Sequence, residues 1–206
     1  MNMDAPVTVR WAGDAGFSEP GAPARRAAIG VVGVTGQPDR ETARLRIRSV
    51  LVEALAEHCG IDAGRVQLYS PEGLAPWAVL ALDGGERRIA LAISHDGDMS
   101  VAAYALDGGA LGIDLTSIVP VPDWEPVAHD YLGPAAAQAL AALPAGERDA
   151  AFARAWSEHE ARLKSLGWQL DEWRGERAPM LLACRCRPLA LPDGYVGYLA
   201  VAATAA

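Results

Sequence analysis

Apolar residues recur along this chain with two different periods. Over 39–59, Ile47, Leu51, Ala54 and Leu55 fall at i, i+4, i+7 and i+8, the spacing of one helical face. Pro38 and Asp39 open that helix, and Gly60 supplies its stop. Over 147–166, Phe152, Trp156, Leu163 and Leu166 form a second stripe, closed by Gly167. A shorter helix is predicted over 134–143. Between these lie short β-branched or apolar runs at 7–11, 27–34, 66–69, 77–82, 88–93, 99–106 and 111–115, and two more close the chain at 180–186 and 195–203. Asp83-Gly84-Gly85 separates one pair of runs, and Asp107-Gly108-Gly109 separates another. An Asp-Gly pair between β-rich runs marks an antiparallel hairpin, so two hairpins are predicted. Residues 12–26 and 70–76 read as loops, and the loop 120–126 is expected to expose Trp124.

The order is strands around one long helix, then the same again. It predicts an α+β fold of two pseudo-symmetric subdomains, each a long helix packed on a small antiparallel sheet. The halves are 1–108 and 109–206, joined as one pseudo-dimeric unit, for which a monomer is the simplest expectation.

Half of the 206 residues are hydrophobic, enough for a buried core. The net charge of −8 argues against nucleic acid as the main partner, because a phosphate backbone calls for a basic surface. A local basic pocket for a small phosphorylated ligand remains compatible with it. No run approaches the ~20 apolar residues of a membrane span. The first eleven residues carry Asp4 and no long apolar run, so no signal peptide and a cytoplasmic location are expected. Cys59, Cys184 and Cys186 show no zinc-type spacing and read as reduced thiols.

Seventeen arginines stand against one lysine, Lys164. An ammonium is a compact charge on a flexible stem, suited to a phosphate or a proton transfer. Lys164 follows Glu160 by four residues, and both flank the apolar stripe of their helix. Taken alone they make an ordinary helix pair, worth ~0.2–0.5 kcal/mol. Asp114 adds weight, because it interrupts an apolar strand, Ala110-Leu111-Gly112-Ile113-Asp114-Leu115. A buried carboxylate is costly unless it is paired or binds a metal. Asp114 and Glu160 together suit Mg²⁺, which takes one or two carboxylates plus phosphate oxygens and water. Ser94-His95-Asp96 ends a predicted strand. Adjacent residues on an extended chain cannot converge as a hydrolase triad, but His95 can donate to a phosphate. Arg40, Arg44 and Arg48 repeat along the start of the first long helix, either as a solvated helix end or as an anion-binding rim. Gly30 to Gly36 lacks the Gly-Lys-Ser/Thr ending of a phosphate loop.

Ser94-His95, then Gly112-Ile113-Asp114-Leu115, then Trp156-x-x-x-Glu160-Ala161-x-x-Lys164 resembles the 4′-phosphopantetheinyl transferases, most closely the surfactin-type group of single chains with two similar halves. The resemblance extends from about Arg40 to Ala202, and Leu191-Pro192-Asp193-Gly194-Tyr195-Val196 resembles the closing strand of that family. It implies transfer of the 4′-phosphopantetheine arm from coenzyme A to a serine of an acyl or peptidyl carrier protein, in polyketide or nonribosomal peptide biosynthesis. By resemblance Asp114 and Glu160 are Mg²⁺ ligands, Glu160 is the base for the serine, and Lys164 steadies the leaving phosphate. Ser94 and His95 would belong to the coenzyme A site, with His95 at the 3′-phosphate. Arg40, Arg44 and Arg48 fall where basic nucleotide contacts are expected. His159 stands where the family carries a lysine, beside the coenzyme A site. Thr116 replaces the family's second acid, residues 72–76 lack a lysine, and Trp168-Gln169 replace a glycine. Val121 and Trp124 are the expected carrier-docking patch. The departures leave open a diverged relative acting on a carrier-bound substrate by another reaction, or a non-catalytic module that binds coenzyme A or the carrier.

Overall fold

A computed structural model describes residues 5–12 and 28–203. The chain opens with β1 (Val7–Thr8) and β2 (Arg10–Trp11), and β3 (Ile29–Val34) leads into α1 (Arg40–Cys59). Four antiparallel strands follow, β4 (Val66–Tyr69), β5 (Trp77–Leu82), β6 (Gly85–Asp96) and β7 (Met99–Ala105). The second half runs β8 (Leu111–Ser117), α2 (Trp124–Val127), a π-helical turn over Ala128–Leu132, α3 (Pro134–Ala141) and α4 (Ala145–Ser165). It closes with α5 (Ala178–Ala183), β9 (Arg185–Ala190) and β10 (Tyr195–Val201). The architecture is α+β. Two mixed sheets are present, ordered β2-β3-β7-β6-β5-β4 and β1-β9-β10-β8. The pairs β2–β3 and β1–β9 are parallel, and the others are antiparallel. The chain leaves the larger sheet after Ala105 and enters the smaller at Leu111, while β1 sends the N-terminal segment into the smaller sheet.

Helix α1 forms where its caps and apolar period agree. The Asp39 carboxylate accepts from Thr42 N at 2.7 Å, and Gly60 adopts the left-handed conformation (φ 66°) that ends the helix. Ile47, Leu51, Ala54 and Leu55 are fully buried against the six-stranded sheet. Each large aliphatic side chain there contributes about 1.5–3 kcal/mol of burial. A second core lies between the two sheets, around Val31, Met99, Val101, Ile113, Leu115 and Leu199. A third, smaller one gathers Leu132, Leu140 and Phe152 under α2 and α3.

Four expectations are corrected. Strands 99–106 and 111–115 do not form a hairpin. β7 is saturated on both sides by β3 and β6, so β8 pairs with β10 in the other sheet. The hairpin is instead β6–β7, with Asp96 opposite Met99 and Gly97 at φ 56° in the turn. β6 therefore continues through Ser94-His95-Asp96, past the polar residues that mark its end in the sequence. Residues 180–183 are helical: Pro179 starts α5 in its first turn, where a missing N–H costs nothing, and the strand begins at Arg185. Trp124 is not displayed on a loop. It is half-buried in the third core, with the Arg148 guanidinium 4.6 Å from its ring. Apart from Ala12, the predicted loop 12–26 lies outside the described residues, as does Ala27 of the next strand. No helix among the described residues is long and apolar enough to cross a membrane.

Candidate active site

Strand alternation decides which β8 residues face α4. Leu111, Ile113 and Leu115 point into the core between the sheets. Gly112 and Asp114, on the opposite face, meet α4. The approach is close at Gly112, where a Cβ would lie 2.1 Å from Ala161 O and 2.4 Å from Ser165 N. Only glycine admits the helix at that distance. The helix face that meets the strand is built from Ala153, Ser157 and Ala161, all buried. Small residues let the backbones approach, and this carries Lys164 to Asp114.

Lys164 Nζ donates to Asp114 Oδ1 at 2.6 Å, and Ser94 Oγ donates to the same oxygen at 2.9 Å. Asp114 is only 6% exposed, so these partners rather than water hold its charge. Glu160, one helical turn before Lys164, makes no hydrogen bond or ion pair with any described residue. Burial raises its pKa above the ordinary carboxylate value, and the Asp114 charge adds to this while Lys164 opposes it. His95 Nδ1 lies 2.7 Å from the hydroxyl of the fully buried Ser100, directly across the β6–β7 ladder. Burial first, then the charges of Arg44, Arg40, Lys164 and Arg48, hold His95 down at about 4, so it is neutral near pH 7.

Arg40, Ser94, His95, Asp114, Glu160 and Lys164 line one cleft of about 340 Å³, together with Asp96, Thr116 and Trp156. Four elements far apart in sequence supply it: α1, β6, β8 and α4. Arg44 and Arg48 do not line the cleft, although their charges reach His95. His159 is absent from its walls. It faces Trp173 instead, with ring centroids 6.4 Å apart, and burial holds its pKa down at about 4. Ser94 stands in the wall, but its hydroxyl is engaged by the protein.

Apolar space flanks the polar cleft on both sides. Past Thr116 and Trp156 lies a groove of about 270 Å³ bordered by Val119, Val121, Val127 and Phe152. Past Lys164 lies a cavity of about 290 Å³ bordered by Leu74, Pro76, Ile93, Leu111, Trp168 and Gln169. The segment 72–76 and the pair Trp168-Gln169, noted separately in the sequence, thus share one wall.

No cluster of three or more His, Cys, Asp or Glu among the described residues could hold a metal by itself. The donor set nevertheless fits a hard cation that is completed by phosphate and water. Asp114 and Glu160 face one cleft, the hydrogen bonds to Asp114 fall on Oδ1, and Glu160 makes no ion pair with any described residue, although the Lys164 charge reaches it.

Sequence reasoning did not place Asp96, whose carboxylate accepts from Ser117 N, or Trp156 in the cleft wall, whereas Thr116, singled out two residues after Asp114, does line it. Asp96 was legible as the third residue of the Ser-His-Asp run. Thr116 was legible from the two-residue period that starts at Asp114. Comparison with protein-family models and with curated proteins gave no match.

Proposed function

We propose that the cleft transfers the 4′-phosphopantetheine arm of coenzyme A to a serine of an acyl or peptidyl carrier protein, in a fold of the surfactin-type phosphopantetheinyl transferases. The observation that carries this reading is the convergence of Asp114, Glu160, Lys164, His95 and Arg40 on one cleft. The flanking apolar spaces support it as well. Coenzyme A is a run of phosphates between a nucleoside and a long, weakly polar arm, and the cleft is polar in the middle and apolar at both ends.

In the reaction the serine oxygen bonds to the phosphorus that carries the arm. The bond from that phosphorus to the bridging oxygen breaks, and adenosine 3′,5′-bisphosphate leaves. Glu160 takes the serine proton. Lys164, steadied by Asp114 at 2.6 Å, presents its ammonium to the departing phosphate as charge builds there. Arg40 adds a fixed cation, and neutral His95 donates a hydrogen bond. A magnesium ion held by Asp114 and Glu160 would supply neutralisation of the pyrophosphate charge.

The test is incubation of the protein with coenzyme A, Mg²⁺ and apo-carrier protein, with the carrier weighed by mass spectrometry. The expected result is the added mass of the arm, lost on chelation of Mg²⁺ and lost in Asp114→Ala and Glu160→Ala. No added mass across several carriers would refute transfer. Binding of coenzyme A without transfer would assign the chain to the non-catalytic class, and Thr116 in the cleft wall is the feature that would explain it.

A further inference from the structure

Ser94 is buried to 6% exposure beside Asp114, and its hydroxyl has a complete set of neighbours within the protein. Its oxygen accepts from Leu115 N at 3.4 Å and lies 3.5 Å from the Lys164 ammonium. A hydroxyl has two lone pairs and one hydrogen. With both lone pairs directed at N–H donors, the hydrogen is left for Asp114 Oδ1, 2.9 Å away. The same carboxylate oxygen accepts from Lys164 at 2.6 Å. Both donors therefore hold Oδ1.

From this we infer that Ser94 is a positioning residue for the Asp114 carboxylate, keeping Oδ2 available to a divalent cation, and not a direct contact to the nucleotide. The inference rests on the metal role proposed for Asp114. Without the hydroxyl, Lys164 is the only donor left on the carboxylate among the described residues. Its flexible stem lets the ammonium straddle both oxygens and compete with a cation for Oδ2. Leu115 N–H also loses its acceptor, so the strand backbone beside Asp114 is held less firmly. Groups that orient a metal ligand typically change metal affinity or activity by ~10–100-fold when removed.

The test uses the whole protein with coenzyme A present. Mn²⁺ is titrated in and free Mn²⁺ is read by electron paramagnetic resonance, for the wild type, Ser94→Ala and Ser94→Cys. Cysteine nearly keeps the volume but is a weak donor, so it carries the test if Ser94→Ala does not fold. Mn²⁺ binding should weaken roughly tenfold or more in both variants. In the transfer assay the Mg²⁺ requirement should rise by a similar factor, with KM for coenzyme A unchanged at saturating Mg²⁺. Unaltered Mn²⁺ affinity would overturn the inference, as would a raised KM with unaltered metal dependence, which would make Ser94 a nucleotide contact. A wild type that binds no Mn²⁺ would overturn it too. A wild type that binds Mn²⁺ with this dependence on Ser94, yet transfers no arm, would refute the transferase reading and leave the positioning role standing.

Discussion

Gly112→Ala tests how closely β8 and α4 must approach for the cleft to exist. The added methyl would sit 2.1 Å from Ala161 O, 2.4 Å from Ser165 N and 2.8 Å from Lys164 Cβ. Carbon makes comfortable non-bonded contact at about 3.5 Å, so the gap must widen by roughly 1–1.5 Å. Two of the three obstructing atoms belong to the backbone of α4, and no rotamer change moves them. Either the helix shifts as a body or the strand bows. Overpacking of this kind costs ~1–3 kcal/mol and occasionally more, and an obstruction by backbone belongs at the upper end. The same shift carries the Lys164 backbone away from Asp114 and strains the 2.6 Å contact between them. Gly146→Ala is the control of opposite sign. Gly146 lies in the first turn of α4 with nothing within 4 Å of its would-be Cβ, so alanine should stabilise by ~0.5–1 kcal/mol. Urea unfolding followed by circular dichroism reads both variants, and the transfer assay reads the cleft. The expected pattern is a lower midpoint with lost transfer for Gly112→Ala, and a higher midpoint with normal transfer for Gly146→Ala. A Gly112→Ala protein within about 0.5 kcal/mol of the wild type would refute the close-approach argument, since surface changes of no consequence fall in that range.

Two further outcomes follow from the same geometry. His95 and His159 are both held at about 4 in the fold, below the ordinary 6.5. Between these values the unfolded chain binds protons that the folded chain excludes, so the stability is complete above about pH 6.5 and is lost as pH falls toward 4. After allowance for partial exposure, each histidine accounts for something on the order of 1–3 kcal/mol. Urea midpoints at pH 7.5 and 5 measure this, and His159→Phe should flatten the acid limb; an unchanged slope would exclude His159 as a source. Lys164→Arg keeps the charge but replaces a compact ammonium by a planar fork beside a nearly buried carboxylate. It should lower transfer at least tenfold while the unfolding midpoint moves little, and full activity would show that any cation suffices there.

What the sequence by itself determined is local in origin. Both long helices were legible because caps and apolar period agree over many residues, as in Asp39, Ile47, Leu51 and Gly60. The α+β class followed from those helices and the short β-branched runs between them. Asp114, Glu160 and Lys164 stood out because a charge in an apolar run and a solitary lysine are visible without coordinates. Strand partners were another matter. The Asp107-Gly108-Gly109 turn predicts a hairpin, yet β7 has both edges occupied by β3 and β6, and only the assembled sheet reveals that. α5 looked like a strand because a short apolar run has no period long enough to tell the two apart.

Within the site the division is the same. Sequence spacing put Glu160 and Lys164 on one flank of a helix, but not which strand that flank would meet. Gly112 decided it, by letting α4 come close enough for Lys164 to reach Asp114. His159, adjacent to Glu160 in the chain, is carried some 100° around the helix and packs on Trp173. Ser94 could be named as a candidate from its neighbours in the chain. That its hydroxyl is spent on Asp114 depends on β6 and β8 lying side by side, a contact between two sheets that no local pattern encodes.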